Sequence, residues 1–155
     1  CTDKGRQGWK WSLLGDRRGI PIGWTIAPAN RHDAKLVAAT LDATDTRGLL
    51  SDVETMHFDR GYDFQFVRDD CAARGVVDVV IPPCRKRKKT GRLAKKTIPL
   101  GLRWPIERTN SWLTNFGQLR RSTDRHPEHR MAQLDLAIAL ILTIKLVKWA
   151  ARWNR

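Results

Sequence analysis

The chain has 155 residues, 41% of them hydrophobic, enough for one domain with a buried core. Its 29 Lys+Arg against 16 Asp+Glu give a net charge of +13, which points to a polyanionic partner, nucleic acid first. Three scattered cysteines without a CxxC pair exclude a zinc framework, and the most apolar stretch, 134–147, is too short for the ~20 residues of a membrane span.

In chain order, Trp9 to Leu14 alternates like a strand, Asp16-Arg17-Arg18-Gly19 reads as a turn, and Ile20 to Ile26 reads as a second strand, so the two form a hairpin. Asn30 to Asp33 offers helix caps for a helix over Ala34 to Leu41. Glu54 to Phe58 is a short strand ending at Asp59. Asp63 can cap a helix to about Arg74, stopped by Gly75. Val76 to Ile81 is a β-branched run, read as a buried strand ended by Pro82-Pro83.

The composition then shifts. Arg85, Lys86, Arg87, Lys88, Lys89, Arg92, Lys95 and Lys96 crowd a basic loop at about 85–96. Pro105 suits the first turn of a helix carrying Glu107, Trp112 and Leu113, with Gly117 as its end or bend. Pro127 opens a terminal core helix over about 127–152. Strands and helices in this order predict an α/β domain around one central sheet, with an open edge at its amino-terminal side.

Two carboxylates stand out. Asp59 follows a strand, where ligands gather in open α/β sheets, although Asp59 and Gly61 also suit a plain turn. Glu107 is by itself a surface glutamate that Arg103, four residues earlier, can pair with. His126 and His129, separated by a helix start, are not read as metal ligands. The three cysteines, Cys1, Cys71 and Cys84, are read as reduced thiols of a cytoplasmic protein.

The neighbouring residues change the weight of both acids. Asp59-Arg60-Gly61-Tyr62, followed by Arg103-Trp104-Pro105-Ile106-Glu107-Arg108-Thr109-Asn110-Ser111-Trp112-Leu113, resembles the DDE transposases of bacterial insertion sequences. Lys4 to Lys10, Asp16 to Pro21, Leu119-Arg120-Arg121 and the Leu-rich terminal helix are similar to the same family, so the likeness covers nearly the whole chain. Leu100 and Thr114 stand where a related branch has Tyr and Lys.

The resemblance implies a ribonuclease-H-like mixed sheet flanked by helices, with its first strand missing here. It implies metal-dependent DNA cleavage and strand transfer at transposon ends, with two Mg²⁺ (or Mn²⁺) ions. Asp59 and Glu107 would be catalytic metal ligands, and Arg103 would support Glu107 or a phosphate. The basic loop residues, with Arg120 and Arg121, would contact transposon-end or target DNA, and the protein would associate with the bacterial nucleoid.

The family's first catalytic Asp ends the missing strand. Asp3 matches a loop position instead. Asp16 ends a strand of about seven residues at ~3.3 Å each, which puts it roughly 20 Å from Asp59 at the opposite sheet end. The expected chain is therefore the carboxy-terminal part of a single catalytic domain, an inactive fragment by itself. It would need an amino-terminal segment or form a homodimer. Two alternatives remain: a non-catalytic basic nucleic-acid-binding module, and a metal-dependent nuclease of the same fold.

Overall fold

A computed structural model describes residues 8–83, 103–121 and 124–153. Strand β1 (Trp9–Gly15) pairs antiparallel with β2 (Pro21–Pro28), with Leu13 opposite Trp24 and Trp11 opposite Ile26. The turn between them is tightly specified. The Asp16 carboxylate accepts from Arg18 N at 2.8 Å and Ile20 N at 2.7 Å, and Gly19 takes a φ of 77° that favours glycine.

Side chains alternate across a strand, and here both faces are covered. On one face Trp11, Leu13, Trp24 and Ile26 join a core with Leu113, Leu119, Leu134, Ala137, Ile138 and Ile141. These come from α3 (Arg103–Thr114), α4 (Gly117–Arg121) and α5 (Pro127–Trp153). On the other face Leu14 joins a core of Val37, Leu41, Met56, Val67 and Cys71. This second core belongs to α1 (Val37–Asp45), α2 (Gln65–Ala72) and β3 (Thr55–His57). The hairpin is thus the middle of three layers, and the mixed α/β class holds.

Each face fixes its helices by close contacts. Thr40 Oγ1 on α1 lies 2.8 Å from both Ser12 Oγ and Leu36 O. Opposite, Thr109 Oγ1 on α3 donates to Gly19 O at 2.5 Å, and Trp11 Nε1 donates to Asn110 Oδ1 at 2.8 Å. Arg130 of α5 is buried and donates to Gln118 O at 2.6 Å and to Leu119 O, tying α5 to α4.

Several expectations need correction. Instead of one central sheet, the described residues form two ladders, β1–β2 and β3–β4 (Asp78–Val80), the second parallel. Strand β4 is not buried on both faces, since Asp78 and Val80 are exposed and Val79 alone of its residues packs against the core. The helix expected from Ala34 opens as one 3-10 turn, Asp33–Leu36, capped by His32 Nδ1, and continues as α1. Asp63 does not cap α2; its carboxylate pairs with Arg68 at 2.9 Å, and Phe64 takes the cap position. Gly117 begins α4 after the chain breaks from α3. Helix α5 is core on one side only, because Leu136, Leu140, Ile144, Leu146 and Val147 are exposed.

Gly23 is where β2 meets α1. A methyl there would lie 1.7 Å from Thr44 Oγ1, 2.9 Å from Thr44 Cβ and 3.1 Å from Thr40 O. Gly23→Ala is therefore expected to destabilise the fold by about 2 kcal/mol through overpacking. Urea unfolding of the two proteins measures this, and an unchanged midpoint would refute the close packing of α1 on β2.

Candidate active site

Asp59 lies just beyond β3. Phe58 N still bonds Val80 O at 2.9 Å, after which the backbone leaves the ladder. The Asp59 carboxylate accepts from Arg60 N at 2.6 Å and caps the one-turn 3-10 helix Arg60–Tyr62. The turn expected at this position is therefore present, and it holds the side chain exposed at the strand's carboxyl end.

Tyr62 folds back against Phe58, with ring centroids 5.3 Å apart, and its ring joins the α1/α2 core. Its phenol is pushed up to about 12 by burial first, then by the negative charges of Asp33 and Asp59. Asp33 in turn pairs with Lys10 at 2.7 Å. Asp59, Asp33, Tyr62 and Lys10 thus form one neighbourhood near the beginning of β1. Of these companions, Tyr62 could have been found in sequence from its place in the Asp59 motif. Lys10 and Asp33 carry no local signal, because only the tertiary fold joins them.

Glu107 occupies the exposed side of α3. The preceding Ile106 faces Gly15 at the far end of β1, with its Cδ1 3.7 Å from an ideal Gly15 Cβ. Asn110, further along α3, reaches Trp11. Helix α3 therefore runs opposite to β1, with Glu107 nearer the Gly15 end and Asp59 grouped with residues at the Lys10 end. Among the described residues, no group of three or more His, Cys, Asp or Glu side chains could hold a metal ion. Asp59 and Glu107 are hard oxygen donors of the type Mg²⁺ takes, but a gathered set of ligands is not formed by the described residues.

The remaining predicted residues divide in two. Arg120 and Arg121 are exposed in the last turn of α4. Arg85, Lys86, Arg87, Lys88, Lys89, Arg92, Lys95 and Lys96 lie outside the described residues, as do Cys1 and Cys84. Arg103 opens α3, with its side chain outside them too. Asp16 lies directly after Gly15, at the opposite end of β1 from Lys10, and its carboxylate is engaged by the turn backbone. His126 and His129 approach to 5.2 Å between ring centroids without further ligand-type partners among the described residues. Cys71 is a buried free thiol whose pKa burial pushes up. Among the described residues no helix is long and apolar enough to cross a membrane.

The comparisons with known proteins are decisive for the family. The family model for the transposase DDE domain matches residues 1–143. The chain belongs to the DDE transposase family. It is 31% identical over 145 residues to a Burkholderia cepacia protein named "Putative transposase for insertion sequence element IS402". That alignment covers 90% of the chain and 65% of the relative. No solved structure matches. Both motifs that carry the transposase resemblance, around Asp59 and around Glu107, fall inside the matched span.

Tyr62 is the only tyrosine in the chain, so phenolate ultraviolet absorbance reports it alone. Its folded-state pKa is raised, so the unfolded chain loses this proton first. Folding stability from this group is full below pH 10 and falls as pH rises from about 10 to about 12. Asp59→Asn is expected to move the titration down towards the ordinary value of 10.0, by less than burial moved it up. A titration unchanged by Asp59→Asn would remove Asp59 from the Tyr62 neighbourhood.

Proposed function

We propose that the chain is the carboxy-terminal part of a transposase catalytic domain that cuts and joins DNA at transposon ends. In this reading Asp59 and Glu107 are two of three metal-binding carboxylates. The third is the Asp that ends a further strand supplied from outside this chain. The observation that carries the reading is the motif pair itself, Asp59 to Tyr62 with Arg103 to Leu113, inside a matched DDE domain.

The sheet geometry supports the further strand. The edge of β1 away from β2 and the edge of β3 away from β4 carry no partner strand among the described residues. Yet Leu14 of β1 and Met56 of β3 pack into one core. A strand between them, parallel to β3, would merge the two ladders into the ribonuclease-H-like sheet and end beside Asp59. The chain spans 65% of its curated relative's length, which leaves room for such a segment in the whole protein.

When bound, a pair of divalent ions supplies activation of the attacking oxygen and stabilisation of the leaving one. The chain's own residues have narrower parts. Asp59 and Glu107 offer oxygen ligands, Arg103 orients Glu107 or a phosphate, and the Asp59 cap on Arg60 N fixes one carboxylate oxygen. The basic loop, Arg120 and Arg121 hold the DNA backbone. By itself the chain then binds DNA without cutting it. That also accommodates the second reading, a non-catalytic nucleic-acid-binding module.

The deciding experiment joins the chain to its native upstream coding sequence and measures Mg²⁺- or Mn²⁺-dependent strand joining. Asp59→Asn and Glu107→Gln are each expected to lower the rate at least about a hundredfold, or ~2.7 kcal/mol of barrier. Full activity in either variant would eliminate that residue as a ligand. Cutting without joining would mark a nuclease.

The loop has its own test. Replacing Arg87, Lys88 and Lys89 with Ala is expected to weaken DNA binding for all sequences alike. The slope of log K against log salt should flatten by roughly 0.9 for each phosphate no longer neutralised. An unchanged slope would remove the loop from the interface.

A further inference from the structure

Charge is unevenly divided along the chain. Residues 8–83 hold nine Lys or Arg against eleven Asp or Glu, whereas residues 103–153 hold nine against four. In the first part three cations pair with acids: Lys10 with Asp33, Arg68 with Asp63, and Arg74 with Asp42. In the second part Arg108, Arg130 and Lys145 lie over indole rings, as Arg18 and Arg47 of the first part also do.

Three elements meet at this second set. Helix α5 continues beyond Ile141, and the side that was core becomes Lys145, Lys148 and Trp149. Lys145 Nζ stands 3.8 Å from the Trp112 ring centroid, and Arg108 approaches the same ring at 6.0 Å. From the β1–β2 turn, Arg18 reaches over Trp149 at 5.5 Å. No ion pair joins Arg18, Lys145 or Lys148 to a carboxylate among the described residues.

Like charges that converge from separate elements oppose folding, and here burial and the charges of Lys148 and Arg108 hold Lys145 below the ordinary lysine pKa. An anion placed among them would offset the repulsion. The indoles restrict the cations without neutralising them, so binding has little side-chain freedom left to remove. Lys145, Lys148 and Arg152 follow one helix face over about 10 Å, roughly three base steps of one strand.

We propose that Arg18, seated on Trp149, and Arg108 and Lys145, seated on Trp112, form with Lys148 a second surface for the phosphate backbone of duplex DNA, separate from the loop at 85–96. This rests on the reading that the partner is DNA, and it assigns the contact to the α3–α5 layer. The contacts are to phosphate, so the surface positions DNA without selecting its sequence.

The test is fluorescence anisotropy of the full chain with a labelled random-sequence duplex across a salt series. Replacing Arg18, Lys145 and Lys148 together with Ala should flatten the log–log salt slope by about 2.7, at ~0.9 per phosphate neutralised. The Arg18→Lys, Lys145→Arg, Lys148→Arg protein should keep the original slope. Lys148→Ala alone, at an exposed position, should remove about 0.9 and covers the case in which the triple variant does not fold. No binding by the unaltered chain overturns both this surface and the DNA reading. Binding whose slope is unchanged in the Ala variants overturns this surface alone.

Discussion

The hairpin β1–β2 has to bury both of its faces, and most of the structure follows from that demand. An isolated two-stranded hairpin is only marginally stable in water. Trp11, Leu13, Trp24 and Ile26 on one face need a cover, and α3, α4 and α5 supply it. Leu14 and the close approach at Gly23 on the other face need α1. The polar residues between them are also used: Ser12 meets Thr40, and the Trp11 indole nitrogen meets Asn110. A hairpin satisfied on both sides becomes the internal layer of an α/β domain and no longer an exposed ribbon.

The same demand explains the weaker half of the sheet. Strands β3 and β4 have three residues each, and parallel pairs of that size depend on flanking layers. Here α2 and α1 cover one side through Met56, Val67, Cys71 and Val76. The other side lacks a cover among the described residues, which leaves Val80 exposed. A strand between β1 and β3 would join the two ladders into one wider sheet. The position of Asp59 is consistent with such an arrangement, since it ends β3 beside residues that belong to the start of β1. Glu107 sits nearer the other end of β1, so the catalytic reading also requires the incoming segment to draw the two acids into one site.

Legibility in the sequence followed the range of the forces involved. The hairpin was readable because alternation, Asp16 and Gly19 are all local. Helix α5 was readable to within a residue or two because Pro127 opens it and its apolar run is long. What failed was burial. The run Val76 to Ile81 reads as a strand buried on both faces, yet only Val76, Val79 and Ile81 meet the core. Helix α5 reads as a core helix that can leave a part exposed, and the covered side is the one with Leu134, Ala137, Ile138 and Ile141. Composition reports how apolar an element is, but not how many layers pack on it. The site divided the same way. The Asp59 and Glu107 motifs are legible in the sequence, while Lys10 and Asp33 reach Asp59's neighbourhood only through the fold.

Arg130 shows how far the carboxy-terminal layer accepts positive charge. Its guanidinium is buried against Trp11, at 5.8 Å, and donates to two carbonyls of α4, while its Nε has no hydrogen-bond partner among the described residues. Burial holds its pKa below the usual arginine value, and Asp124 only partly opposes this. A neutral side chain could have filled the same space with less desolvation. The guanidinium does what an apolar side chain cannot: it joins α5 to α4 by direction-specific bonds and fixes both against the hairpin. In the same layer Arg108 and Lys145 lie over the Trp112 ring. Carbonyl dipoles and aromatic faces both fix a cation by direction, and this layer uses both.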